Sequence, residues 1–196
     1  LPPRDPDADV RLRFFSGRRE DSLSGHVLIA AFASLADRGI FRPLPEGRFL
    51  LVETLAGTLE VSLAAGDDGH TLVTYSLPTP RFGEPVPASE VSLALGVPAD
   101  LLKLDGHGPQ RVSCGFDHIV VPVADRDALR GSFRDLTRIT ALADSRGVAG
   151  LVLFSRETPF ADADFHCRFF HPGDRCCEDV ASGNGLGAFG AFVAGK

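Results

Sequence analysis

The most constraining feature of this chain lies near its end, where Cys177-Glu178-Asp179-Val180-Ala181-Ser182-Gly183-Asn184-Gly185-Leu186-Gly187-Ala188-Phe189 runs from an acidic turn into an apolar segment. Five glycines fall between residues 183 and 195, and each costs an exposed helix up to about 1 kcal/mol relative to alanine. The other residues of the run are mostly Ala, Leu, Phe and Val, so the pattern predicts a helix that is buried and closely packed. Its start combines small polar residues with unpaired backbone N–H groups, an arrangement that suits an anion. On its own, Glu178-Asp179 ahead of a helix reads as a cap and dipole partner. The chain, however, contains this stretch twice.

Arg13-Phe14-Phe15 precedes a turn at Gly17, then Glu20-Asp21-Ser22-Leu23-Ser24-Gly25-His26 and an apolar helix. Arg168-Phe169-Phe170 precedes a turn at Gly173, then Glu178-Asp179-Val180-Ala181-Ser182-Gly183-Asn184 and another apolar helix. The shared order R-F-F, turn, E-D-x-x-S-G-[H/N] predicts two related lobes, residues 1–105 and 106–196. Each is expected to be a curved, mostly antiparallel sheet or barrel around a central buried helix, an α+β fold of pseudo-symmetric lobes. A duplicated lobe is further expected to set its two helix starts around one cleft.

The intervening elements follow from periodicity. A strand is predicted over 10–15, and a helix apolar on nearly all sides begins at Val27 and stops at Asp37-Arg38-Gly39. Residues 49–56 and 58–65 read as a hairpin about Gly57, followed by a strand over 71–77. A proline-rich connector covers 78–87, a short helix 88–96, and Gly106-His107-Gly108-Pro109 a loop at the lobe boundary. Residues 111–123 read as one buried strand, 125–146 as one amphipathic helix, and 148–155 and 165–170 as strands.

Composition narrows the function classes. The net charge of −6, without a run of Lys or Arg, excludes a general nucleic-acid surface. No apolar stretch reaches the roughly 18 residues of a membrane span, and the start lacks a signal peptide's basic-then-apolar pattern. A chain that starts at Leu1 and not at Met reads as trimmed or internal. The adjacent Cys176 and Cys177 have no zinc-site spacing, and reduced thiols in the cytoplasm are expected. The histidines show no metal-ligand spacing. His118 is expected on a buried strand, His107 exposed in its loop, and His166 and His171 in structural roles.

These motifs together resemble the PhzF family of phenazine-biosynthesis isomerases, with a diaminopimelate-epimerase-like fold. The family's first signature resembles E-x-P-L-C-G-H-A-T-L-A, answered by Glu20-Asp21-Ser22-Leu23-Ser24-Gly25-His26-Val27-Leu28-Ile29-Ala30. Its second resembles R-x-F-x-P followed by E-D-P-A-T-G-S-A, answered by Arg168-Phe169-Phe170-His171-Pro172 and Glu178-Asp179-Val180-Ala181-Ser182-Gly183-Asn184-Gly185. Val112-Ser113-Cys114-Gly115-Phe116-Asp117-His118-Ile119-Val120-Val121-Pro122-Val123 resembles its V-S-T-G-x-x-H-L-x-V-P-V strand. The resemblance implies a cofactor-independent isomerase or epimerase that moves a proton on a small carboxylate-bearing metabolite in biosynthesis. It implies catalytic roles for Asp179 and His26, and substrate-holding roles for Ser24, Gly25, Ser182, Gly183 and Asn184, where Asn replaces the usual Ser.

The departures carry their own expectations. The family's catalytic glutamate precedes the first motif, and no residue here corresponds to it; family strands beyond Lys196 also lack a counterpart. The lobes are therefore expected to be incomplete at the N-terminal and C-terminal ends respectively. That leaves a catalytically altered binding or scaffold protein, or a half-enzyme completed in a homodimer or by a complementing chain, as the alternative. Ser24 and Ser182 stand where related epimerases place cysteines, and a serine hydroxyl is too weak an acid to replace a thiol without an activating neighbour. Asp21 is the repeat-mate of Asp179. It is read either as a second carboxylate sharing acid and base work or as a helix cap facing water.

Overall fold

A computed structural model describes residues 1–132, 135–172 and 178–195. The chain forms two compact units, Leu1–Thr79 and Pro80–Lys196. The boundary thus falls ahead of the 106–109 loop expected to carry it. The connector explains the difference: Arg81–Pro85 forms a strand that pairs antiparallel with the first hairpin of the second unit.

In the first unit, β1 (Val10–Arg11) pairs parallel with β4 (Arg48–Thr54), which continues antiparallel through β5 (Gly57–Ala65) to β6 (Thr71–Tyr75). The strand expected over 10–15 divides at Leu12-Arg13, because Phe14 leaves the sheet to form its own hairpin. That hairpin joins β2 (Phe14–Ser16) to β3 (Arg19–Asp21). The expected hairpin about Gly57 is present, and that glycine holds φ +116° at the start of β5. The Thr54 hydroxyl ties the turn by donating to the Gly57 carbonyl at 2.7 Å. β4 and β5 alternate as one-sided strands do, with Leu50, Val52, Leu59, Val61 and Leu63 buried. Helix α1 (Gly25–Asp37) buries Gly25, Leu28, Phe32 and Ala36, one stripe at helical spacing, and packs against β6. Val27 and Ile29, on the other side of the helix, remain more than a third exposed. Burial of α1 is therefore one-sided rather than all round.

The second unit is a five-stranded sheet, β11-β10-β9-β8-β7, covered on both faces. Its strands are β7 (Arg81–Pro85), β8 (Gln110–Ser113), β9 (Asp117–Pro122), β10 (Gly150–Ser155) and β11 (His166–Phe170). Residues 111–123 are thus a hairpin and not one strand. Gly115, at φ +104°, turns the chain between β8 and β9. β10 pairs parallel with β9 and is buried at every residue, as a strand covered on both faces must be. Residues 125–146 form two helices, α3 (Arg126–Gly131) and α4 (Leu136–Arg146). Asp125 and Asp135 each cap a helix by accepting a backbone N–H, which starts a new helix inside an unbroken helical pattern. With α2 (Ala88–Leu95), these elements cover one face of the sheet, burying Val91, Leu95, Leu129 and Ile139 with Ile119, Val121, Leu151 and Leu153. The alternate residues Val112, Val120 and Phe154 meet Ala188 and Phe192 of α5 (Gly183–Ala194) on the opposite face. Like α1, α5 buries one stripe, Gly185, Ala188 and Phe192, while Leu186 stays exposed.

No helix among the described residues is long and apolar enough to cross a membrane.

Candidate active site

The residues flanking the two turns are paired alike down to register, while Gly173 itself lies outside the described residues. In the first unit Phe14 pairs with Asp21; in the second Phe169 pairs with Asp179, the Asp179 N–H donating to the Phe169 carbonyl at 2.9 Å. Arg13 reaches Glu20 through two hydrogen bonds of 2.9 and 2.7 Å and lies over the Phe15 ring at 4.8 Å. Arg168 reaches Glu178 through two bonds of 2.7 Å and lies over the Phe170 ring, also at 4.8 Å. Hydrogen bonding from the facing arginine holds both glutamates below the usual carboxylate range. Three residues after each aspartate a serine takes the N-cap position of a helix opening on glycine: Ser24 before α1 and Ser182 before α5, with nearly the same backbone angles.

The second turn holds the better-defined site. Asp179 Oδ1 accepts from the Ala181 N–H at 3.3 Å, and Ser182 Oγ accepts from the Gly185 N–H at 3.2 Å. Asp179, Ala181 and Ser182 line a cavity of about 210 Å³ whose floor includes Val152 and Phe169. Gly183 is exposed as the first residue of α5. Asn184 follows it, and its Oδ1 is buried with no hydrogen-bond partner among the described residues. Gly185 lies against the Phe169 ring, where an added Cβ would sit 2.9 Å from a ring carbon. His118, behind that ring at a centroid distance of 5.5 Å, is buried and bonded through Nδ1 to the Phe116 carbonyl at 3.1 Å. Burial lowers its pKa to about 4, so it is neutral near pH 7 and packs behind Phe169.

The first turn brings Asp21, Ser24, Gly25 and His26 to the start of α1. Asp21 ends β3 half-buried, and the helix cap is Ser24 and not Asp21. The Ser24 hydroxyl makes no cap bond, and His26 is exposed at the second helical position. Gly25 is buried beneath Tyr75, with the phenolic oxygen 2.3 Å from the point where a Cβ would stand.

Several features of the site escape sequence reasoning. The Arg–Glu pairs link motif ends whose separation is set by turns of different length, although both ends of each pair lie within the repeat. Tyr75 reaches Gly25 from a strand fifty residues on. Cys167, in the cavity wall, has its thiol pushed up to about 11 by burial, which keeps it protonated near neutral pH. His107, expected to be exposed, is half-buried edge-on against Phe192 at 6.4 Å. Cys176 and Cys177 lie outside the described residues. Among those described, no group of three or more His, Cys, Asp or Glu side chains is placed to hold a metal ion.

Comparison with known proteins agrees with the geometry. The family described as phenazine biosynthesis-like protein matches residues 1–196. A curated relative, the uncharacterized isomerase YfhB of Bacillus subtilis, is 28% identical over 192 residues, covering 95% of this chain and 62% of the relative. The crystal structure of a Bacillus anthracis phenazine biosynthesis protein of the PhzF family superposes with TM-score 0.78 at 23% identity, over 97% of this chain and 63% of that one. A hydroxyproline epimerase from Agrobacterium vitis, solved with bound trans-4-hydroxy-L-proline, shares the fold at TM-score 0.64 and 15% identity, over 100% of this chain and 57% of that one. The chain therefore spans somewhat under two thirds of the length of these proteins.

Proposed function

The chain belongs to the phenazine biosynthesis-like family, and from that premise we propose that it is a cofactor-independent isomerase or epimerase. It moves a proton on a small, carboxylate-bearing, amino-acid-like metabolite within a biosynthetic route. The observation that carries this reading is the second turn: Asp179 is held by Phe169 on the wall of a cavity that also contains the N-cap of α5.

Asp179 acts as the proton carrier. Its carboxylate removes a proton from a carbon of the substrate and returns it to a carbon, so the substrate changes configuration or double-bond position without net redox change. The N–H groups of the first turn of α5, at Ser182, Gly183 and Asn184, hold the substrate carboxylate and stabilise the charge that develops beside it. In the first unit, Ser24, Gly25 and His26 form a second carboxylate-holding turn, with Asp21 as the mate of Asp179. Isomerase names among the relatives support the same reading.

A second reading is a half-enzyme that works as a homodimer or with a complementing chain. It is supported by β6, an edge strand of its sheet whose Leu72 is exposed.

The test is solvent-isotope incorporation. The protein is incubated in D2O with a panel of small carboxylates, including proline and trans-4-hydroxy-L-proline, and carbon-bound deuterium is read by NMR. Incorporation into at least one probe is expected. Its absence across the panel, by the protein alone and in mixture with its homodimeric or complementing chain, would contradict the proposal.

A further inference from the structure

We propose that Arg168 is a positioning residue for Asp179, acting through Glu178; this rests on the proton-transfer role given to Asp179 above. Arg168 stands opposite Leu153 across the β10–β11 ladder, on the side of the sheet that α3 covers. Its guanidinium uses all three nitrogens at once. Nε and Nη2 hold the two Glu178 oxygens, and Nη1 donates to the Ser132 carbonyl at 2.6 Å and the Leu129 carbonyl at 2.8 Å. Ser132 is fully buried and caps α3 at its C-terminal end, where helix carbonyls lack partners and a cation is favoured. The arginine is itself only 16% exposed.

The consequence for Asp179 follows from its being the next residue of the chain. Glu178 is anchored to Arg168, and Asp179, bridged to Phe169, lines the cavity with Val152, Phe169, Ser182 and Leu186. Without the clamp, Asp179 keeps its N–H bond to the Phe169 carbonyl and the Ala181 N–H on its Oδ1, but the residue before it is no longer anchored. The first unit offers the contrast. Arg13 makes the same fork to Glu20, but its side chain is 39% exposed and, among the described residues, it donates to no helix carbonyl. Placement is therefore stricter at Asp179 than at Asp21. A lysine cannot substitute, since a single ammonium cannot hold both carboxylate oxygens and the α3 carbonyls in fixed geometry.

The test compares the wild type with Arg168→Lys, Arg168→Gln, Glu178→Gln and the Arg168→Gln/Glu178→Gln double variant. Two readouts are taken: residue-resolved amide hydrogen exchange, and the kinetics of deuterium incorporation into whichever probe the wild type processes. Exchange at the Asp179 amide is expected to rise on the order of tenfold or more in each variant, with β9 and β10 amides unchanged. Where a probe is turned over, kcat is expected to fall on the order of 100-fold, the scale of a misplaced catalytic group, with KM shifted less than threefold. The double variant should be no worse than Arg168→Gln. Unchanged Asp179 exchange in Arg168→Gln would overturn the proposal, and so would full rescue by lysine. Loss of β9 and β10 protection along with Asp179 would also overturn it, by making the role one of global stability. If the wild type turns over no probe, the function proposed above fails, while the Asp179 amide still decides this one.

Discussion

The Asp179 backbone N–H donates to the Phe169 carbonyl at 2.9 Å, and Asp21 occupies the same position opposite Phe14. Two carboxylates are thus presented by the same local device, each three residues ahead of a serine that opens a helix on glycine. The surroundings differ. The second turn has a capped helix and a cavity, whereas the Ser24 hydroxyl leaves the start of α1 without a side-chain cap. Asp21→Asn is accordingly expected to abolish turnover if the two carboxylates divide acid and base work. Unchanged deuterium incorporation in that variant would leave Asp179 as the sole carrier of the pair.

Gly185 lets α5 approach the sheet. A Cβ there would lie 2.9 Å from the Phe169 ring and 3.1 Å from Val152, both part of a packed wall. Gly185→Ala is expected to destabilise the second unit by about 1–3 kcal/mol. Thermal unfolding measures the loss; an unchanged midpoint would contradict this account of the helix's seat.

At Gly25 the obstacle is a single oxygen. A Cβ would stand 2.3 Å from the Tyr75 hydroxyl but 3.3 Å from the ring carbon that bears it. Gly25→Ala should cost about 1–2 kcal/mol, and Tyr75→Phe in the same chain should recover most of it, a non-additive pair as expected of residues in contact. Equal losses in the presence and absence of the hydroxyl would show that Tyr75 is not what requires glycine there.

His118 gives the stability a defined pH dependence. Burial lowers its pKa from 6.5 to about 4, so the unfolded chain binds the proton more readily than the folded one. The stability associated with keeping it neutral is fully present above pH 6.5 and is lost as pH falls towards 4. By pH 5 the loss relative to pH 7.5 is about 2 kcal/mol. Denaturant unfolding at the two pH values measures it, and His118→Gln should flatten the slope. The same slope in that variant would assign the titration elsewhere.

Much of this arrangement is legible before the fold is known, and for a physical reason. The repeat of Arg-Phe-Phe, Glu-Asp and Ser-Gly is carried by backbone needs, a paired strand end and a helix cap, which leave local signatures. The Gly57 hairpin and the largely apolar β10 are legible likewise. What stays hidden is set by longer-range contact. Asp135 restarts a helix within a continuing helical pattern. β7 is an exposed edge strand ending in proline, so it shows no alternation to read. Gly115 turns a hairpin inside what reads as one apolar run. At the site, Arg168 meets both Glu178 and the end of α3, thirty-six residues away at Ser132. Such a junction appears only when the sheet has brought β11 beside α3.

The proton-carrying role of Asp179 is tested most directly by Asp179→Asn. The change keeps the side chain's shape and the Phe169 backbone bond but removes the base. Deuterium incorporation from D2O into a carboxylate probe is measured for the wild type and the variant at equal, saturating probe. The account predicts a fall of at least about 100-fold, the usual contribution of a positioned acid or base, with binding of the probe retained. Incorporation at the wild-type rate in Asp179→Asn would contradict it.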